Sequence, residues 1–388
     1  MNQLRKFKFC AEVTVLFLLA AAAIQILFLL SSGANSVVQV PQSYVVATEI
    51  SNLAEESLAK AEKLSEPHAK VNFEIDVLKN LTEPYYNILI DKGFHVDRTY
   101  FTLAKEKIST IPENFILSGS NICEKDIPSI LFIIPSVAKS DAAKERLDIR
   151  KTWASKFYDT KWRQSSSTRL AFFFGGSGLK PEDLQALKNE SATFGDIMVA
   201  DFVDSYGNLS LKMATTITWV ARNCPSIKAA IKVDMDTFVN VNLLLSLIEK
   251  VPVNTKPSYV FGHQHYFLHP AVVRSGSWKV PQTVYPFDKF PRYIYGHSYV
   301  LSKLALKQIA ESFPYFPIVP NEDAFVTGIM AVTLNITQYY HKSFATLLEK
   351  RTFCKMTNNF YVTTLVKKED RGKLWNYFKT GKCIDEEL

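Results

Sequence analysis

The chain has 388 residues, of which 47% are hydrophobic and 13% aromatic, enough apolar material for a large core and too much for a disordered polymer. Its net charge of +7 is modest for that length, and no basic run is interleaved with aromatics, which argues against a nucleic-acid partner.

Residues 13–30 form an 18-residue run without a charge, close to the span of a bilayer, and Arg5, Lys6 and Lys8 precede it. No further Lys or Arg occurs until Lys60. Positive residues stay cytoplasmic, so residues 1–12 read as a cytoplasmic tail, 13–30 as a signal anchor and the remainder as lumenal or extracellular, a single-pass type II layout. The alternative is a cleaved signal peptide ending at the small residues Ser31, Ser32, Gly33 and Ala34. On the far side of the anchor lie sequons at Asn80, Asn189, Asn208 and Asn335. Cys123, Cys224, Cys354 and Cys383 lie there too, where oxidation is allowed; three pairings are open to them, and no spacing resembles a zinc site.

Residues 31–121 read as a stem, with a helix over 48–64 whose stripe of Ile50, Leu53, Leu58, Ala61 and Leu64 either caps a domain or pairs with a second chain. From Pro128 onward, strands alternate with helices as in an α/β domain with a mostly parallel sheet. A strand over 129–134 leads to a helix over 142–156, then to a strand over 169–174 closed by Gly175 and Gly176. A helix over 181–191 begins with Pro181, where the missing N–H costs nothing. A strand over 196–200, a helix over 208–223 and a strand running up to Asp234 follow. A helix over 243–250, capped by Asn240 or Asn242, precedes strands at 259–262, 299–301 and 337–340.

Strand ends in open α/β sheets are where ligands bind, and Asp234 and Asp236 stand at one such end. In an extended segment an alternating pair points both carboxylates to one side, which suits a hard divalent cation that also holds phosphate oxygens. The obvious ligand is a nucleotide diphosphate, and the bland alternative is a solvated turn. Glu322 and Asp323 either open a helix or present a general base. Arg146 and Arg150 share one helix face, where Arg150 makes either a structural ion pair or a phosphate contact, while Trp153 reads as core. Lys212 is either a point charge for the diphosphate or a solvated helix residue.

Five segments line up in one order: 145–153 with Arg146, Arg150 and Trp153; 201–212 with Asp204 and Lys212; 232–236 with Asp234 and Asp236; 295–302 with Gly296 and Tyr299; and 322–328 with Glu322 and Asp323. This series resembles the β-1,3-glycosyltransferases of glycosyltransferase family 31 over about 128–341. The resemblance implies a GT-A type nucleotide-sugar transferase fold, a mostly parallel Rossmann-like sheet preceded by a transmembrane helix and stem, with the catalytic domain at 122–388. It also implies an inverting transfer of galactose or N-acetylglucosamine from UDP-galactose or UDP-N-acetylglucosamine to a glycan on a glycoprotein or glycolipid, at a Golgi membrane. In that pattern Asp323 is the base and Asp236 a ligand of Mn²⁺. Asp234 lies nearer the ribose, Arg150 and Lys212 meet the donor, and His341 matches a metal-binding histidine of distant relatives.

The chain departs from the pattern at Met235, where relatives often carry an acidic residue. It departs again at 294–298, where relatives often carry Cys-Ser followed by glycines. Larger side chains there change the fit of donor or acceptor. Those departures keep open an alternative, a catalytically inactive lumenal glycan-binding or chaperone-like protein of the same fold. A glycoside hydrolase needs a second carboxylate flanking the sugar bond, and no spacing selects one beside Asp323.

Overall fold

The computed structural model describes residues 98–123, 128–250, 258–341, 343–345, 362–363, 366 and 368–380. The expected anchor at 13–30, the helix at 48–64, Asn80, Cys354 and Cys383 lie outside them. Among the described residues no helix is long and apolar enough to cross a membrane.

In chain order the elements are β1 (Phe115–Leu117), β2 (Ile130–Pro135), α1 (Ser140–Lys151), α2 (Thr160–Ser165), β3 (Thr168–Ser177), α3 (Pro181–Phe194), β4 (Ile197–Val203) and α4 (Leu209–Asn223). There follow β5 (Ala229–Val233), β6 (Phe238–Val239), α5 (Val241–Lys250), β7 (Tyr259–Gln264), β8 (Ile294–Ser302) and α6 (Lys303–Ser312). A π-helix (Ala324–Met330), β9 (Thr337–Tyr340), β10 (Phe344–Ala345), β11 (Val362–Thr363) and α7 (Lys368–Thr380) complete them.

The main sheet has eight strands in the order β1-β4-β3-β2-β5-β8-β7-β9. Its central four, β4, β3, β2 and β5, pair in parallel because helices return the chain over the sheet between them. β2 and β5 are buried on both faces, which is why they are written as continuous apolar runs rather than alternating ones. β8 reverses direction: it pairs antiparallel with both β5 and β7, and β9 then pairs parallel with β7. The sheet is therefore mixed and mostly parallel. β5, β7 and β9 all point their carboxyl ends at one edge, and β8 enters the sheet at that same edge. A second sheet has the order β10-β11-β6.

Three sequence expectations change. β3 does not stop at the glycines but runs through them, because a Cβ at Gly175 would lie 2.7 Å from the Phe202 carbonyl oxygen and one at Gly176 would lie 2.5 Å from Val199 Cγ1. The glycines mark close approach of β4, not a turn. Second, β1, placed with the stem, is the edge strand paired antiparallel with β4. Phe101 and Ile122 lie in the same core as β2 and β3, so the last part of the expected stem packs as one body with the sheet. Third, α6 and α7 had no counterpart in the sequence reading. α6 starts at Ser302, whose hydroxyl accepts from the Ala305 N–H at 3.2 Å.

The remaining boundaries follow local chemistry. α3 starts at Pro181 and ends at Gly195, whose φ of 67° is the left-handed conformation that stops a helix. Asn240 caps α5 through its side-chain oxygen, 3.3 Å from the Leu243 N–H. Cys123 pairs with Cys224, joining the segment after β1 to the end of α4 across 101 residues.

Candidate active site

The site is built where β5 ends against the start of β8. Lys232 pairs directly across from Tyr299, and Val233 across from Ser298. Lys232 is fully buried, and its ammonium meets Asp234 at 2.6 Å, Glu322 at 3.6 Å and the Gly296 carbonyl. Burial pushes that ammonium toward neutrality, but the Asp234 and Glu322 carboxylates outweigh it and hold it above the ordinary lysine range. Tyr299 donates its hydroxyl to Glu322 at 2.5 Å. Glu322 is buried, and burial lifts its carboxyl to about 7 against the opposing charge of Lys232.

Asp323 begins the π-helix and stands between two backbone donors: Gly296 N–H to Oδ2 at 2.9 Å and Ala324 N–H to Oδ1 at 2.9 Å. Burial raises its pKa while these N–H groups and Lys232 oppose the rise. Asp323 caps the π-helix, and the two N–H bonds fix its carboxylate's orientation. Gly296 is required by proximity: a Cβ there would sit 3.2 Å from Asp323 Cβ.

Asp234 and Asp236 are both half-buried at the strand end. Burial and then the like charge of Asp234 raise the Asp236 pKa, opposed by Lys232 and Arg371. A carboxyl held up by a neighbouring carboxylate gains from a cation, and a divalent ion bound through one or two carboxylates and substrate phosphates asks for little more. The donor set of Asp236, with Asp234 behind it, fits such an ion.

The other expected site residues lie elsewhere. His341 follows β9, three strands from β5 in the main sheet, while β10 just after it is joined through β11 to β6 just after Asp236. Its Nδ1 accepts from the Ser343 N–H at 3.3 Å, and among the described residues no three His, Cys, Asp or Glu side chains converge to hold a metal. Arg150 is a structural ion pair instead of a donor contact: it binds Asp196 through Nε and Nη2, each at 2.8 Å, and Glu190 through Nη1 at 2.7 Å, with its guanidinium 4.1 Å from the Phe194 ring centroid. Asp196 precedes β4, so Arg150 sits at the amino ends of the parallel strands, opposite the carboxyl edge. Arg146 is likewise held by Glu190, with Nη2 at 2.6 Å, and Trp153 packs in the core against Phe132 and Phe157.

Lys212 is at the carboxyl edge but is not solvated. It is buried, 2.7 Å from Asp204 and 2.8 Å from the Ser136 carbonyl, and burial lowers its pKa despite Asp204. Asp204 also accepts from the Gly175 N–H at 3.2 Å, so the pair ties the ends of β2, β3 and β4 together.

Sequence reasoning missed Arg371. From α7 it donates to the Met235 carbonyl at 2.6 Å, while the Val366 N–H donates to the Asp236 carbonyl at 2.9 Å. The carboxyl-terminal segment therefore folds back onto the two-aspartate turn. No local signal marks this, since Arg371 lies 136 residues from Met235.

The family described as Galactosyltransferase matches residues 144–342. Beta-1,3-galactosyltransferase 1 of Mus musculus is 28% identical over 316 residues, 79% of this chain and 92% of that protein. Beta-1,3-galactosyltransferase 5 of Pan paniscus is 32% identical over 226 residues, 58% of this chain and 71% of that protein. The crystal structure of mouse xyloside xylosyltransferase 1 superposes with a TM-score of 0.30 at 11% identity, covering 55% of this chain and 84% of that one.

Proposed function

The chain belongs to the galactosyltransferase family, glycosyltransferase family 31, and is a UDP-sugar hexosyltransferase; from that premise we propose an inverting, metal-dependent β-1,3-transfer of galactose or N-acetylglucosamine to a hydroxyl of a glycan acceptor. We place it, on the type II layout of its first 30 residues, in the Golgi membrane with the site lumenal. The observation that carries the reading is Asp323, a carboxylate oriented by the Gly296 and Ala324 N–H groups beside the Lys232 and Asp234 pair.

An acceptor hydroxyl is a poor nucleophile at neutral pH. Asp323 takes its proton as the new bond from acceptor oxygen to C1 forms and the bond from C1 to the diphosphate breaks. One base on the face opposite the leaving group gives inversion. Asp236 would hold a divalent ion such as Mn²⁺, which when bound offsets charge on the departing diphosphate. Asp234, anchored by Lys232, keeps the turn in place, and Glu322 and Tyr299 fix Lys232 from behind. Met235 turns its backbone carbonyl to Arg371, so the position without a carboxylate is tied down through its main chain.

The test is UDP release by the full chain from UDP-galactose and UDP-N-acetylglucosamine, with and without a panel of glycan acceptors, followed by linkage analysis. Transfer in β-1,3 linkage that is lost with chelator and in Asp236→Asn is expected. Activity that survives chelation removes the metal from the reading, and absence of acceptor-stimulated UDP release with every donor favours the inactive glycan-binding alternative.

A further inference from the structure

The exit of β7, the entry of β8 and the exit of β9 meet at the carboxyl edge, and each contributes rings. Tyr295, one residue before Gly296, is their hub. Its ring centroid lies 5.0 Å from that of His265, 5.8 Å from His263, 6.1 Å from Tyr293 and 6.2 Å from Tyr266, and it stacks on His297 at 6.4 Å with planes 19° apart. The hub orders the loop after β7. The Tyr266 N–H donates to the Tyr295 hydroxyl, the Phe267 N–H donates to His265 Nδ1 at 3.1 Å, and Arg292 Nη2 donates to the Tyr266 carbonyl at 3.2 Å. So held, Tyr266 is 47%, Phe267 69% and Leu268 48% exposed.

Three consecutive large apolar side chains facing water on an ordered loop mark a binding surface rather than a packing accident. Its location names the occupant: the Tyr293 and Tyr295 phenols both feel the charge of Asp323, so the array borders the carboxylate that would take the acceptor's proton. Its chemistry narrows the choice further. Burial holds His263 and His265 below the ordinary imidazole range, so both rings are uncharged at neutral pH. His263 is 1% exposed and gives its Nδ1 proton to the Phe344 carbonyl, which leaves Nε2 as a buried acceptor with no hydrogen-bond partner among the described residues. Aromatic faces with neutral polar edges match a pyranose, which has an apolar C–H face and a rim of hydroxyls.

We propose that Tyr266 and Phe267, presented by the ring array around Tyr295, form the platform on which the sugar ring of a neutral acceptor glycoside stacks. The inference rests on the glycosyltransferase reading and names the acceptor chemistry of that same site. It also gives the departures at Tyr295 and His297 a role, since small residues there could not hold the loop.

The test is saturation-transfer NMR on the full chain in detergent with UDP present, using methyl β-galactopyranoside and methyl β-N-acetylglucosaminide as probes. Ring C–H protons of at least one glycoside should be saturated. Tyr266→Ala and Phe267→Ala should each weaken that binding by about tenfold, the scale of one aromatic contact, while Phe267→Tyr retains it. UDP affinity and melting temperature should be unchanged in all three variants. Saturation of neither glycoside, or wild-type binding by both alanine variants, overturns the platform. Loss of binding to phosphatidylcholine vesicles in Phe267→Ala with glycoside binding intact also overturns it, in favour of a lipid-facing loop. A wild-type chain that saturates a glycoside but binds no UDP overturns the transferase reading and leaves the platform standing.

Discussion

Gly296 donates its backbone N–H to Asp323 Oδ2 at 2.9 Å, and its missing side chain leaves the gap in which that carboxylate stands. A strand residue and a helix-start residue 27 positions apart are thus one unit. Asp323→Asn keeps the shape and cannot accept the proton, so kcat should fall on the order of 10² to 10⁴-fold with UDP affinity little changed. Gly296→Ala pushes on Asp323 and should lower kcat on the order of tenfold to a hundredfold by misplacement. Turnover, UDP affinity and melting temperature on one preparation check both. An Asp323→Asn variant within a few-fold of wild type removes Asp323 from the chemistry.

On the proposed mechanism the same carboxylate should set the acid limb of the pH profile. Burial raises the Asp323 pKa, and a base works only when ionised, so kcat should decline on acidification at a pH above the usual aspartate range. A pH series of kcat under saturating donor and acceptor reads this. A limb at the pKa of a free aspartate would disagree.

Glu322 should show in stability rather than in turnover alone. Folded Glu322 keeps its proton up to about pH 7, whereas an unfolded glutamate releases it near 4.5. Between those values the folded state binds more protons, so stability is lost as pH rises. Glu322→Gln removes the effect while leaving a partner for Tyr299. The melting temperature of Glu322→Gln relative to wild type should therefore climb from pH 4.5 to pH 7. A constant difference across that window would mean Glu322 has the same pKa folded and unfolded.

Arg371 carries the two-aspartate turn from outside the family's matched segment. Its Nη2 bond to the Met235 carbonyl, at 2.6 Å, involves a charged donor, and such bonds are worth about 1.5–3 kcal/mol. Arg371→Gln should lower the melting temperature and weaken UDP by about tenfold, because the turn bearing Asp236 loosens. Isothermal titration with UDP and Mn²⁺ measures it. Wild-type affinity in a variant of lowered melting temperature would confine Arg371 to folding.

Glycan attachment, if the chain is lumenal, should discriminate among the sequons. Asn189 and Asn335 are exposed, whereas the Asn208 side chain donates to the Val203 carbonyl at 2.8 Å and its partner Ser210 is buried against Val319. Asn189→Gln and Asn335→Gln should each abolish one mobility step removed by a glycan-releasing amidase, and Asn208→Gln none. A chain with no amidase-sensitive step would count against the lumenal placement.

Residues whose role is written in their neighbours were legible early. The apolar run before Asp234 reads as a buried strand because burial on both faces requires contiguous apolar residues, and both aspartates then fall at its carboxyl end wherever the strand sits in the sheet. Pro181 marked the start of α3 by backbone geometry alone, whereas the helix runs past the expected 191 to Gly195. Ionic partners are a different matter, because a charged side chain is satisfied by whatever the fold brings within 3 Å. Arg150 meets Asp196, 46 residues away, only because α1 packs where β4 begins, and Lys212 is buried only because β2, β3 and β4 end around it. Local pattern could not separate those lysine and arginine residues from ligand contacts. His341 was legible only as the residue after a strand; the pairing of β10 and β6 with β11, which joins the segments after His341 and after Asp236, was not. Order within a sheet is decided by long-range pairing, in particular by the reversal of β8 that brings Gly296 and Tyr299 against the end of β5. The chemical groups were fixed along the chain, and that reversal decided which of them meet.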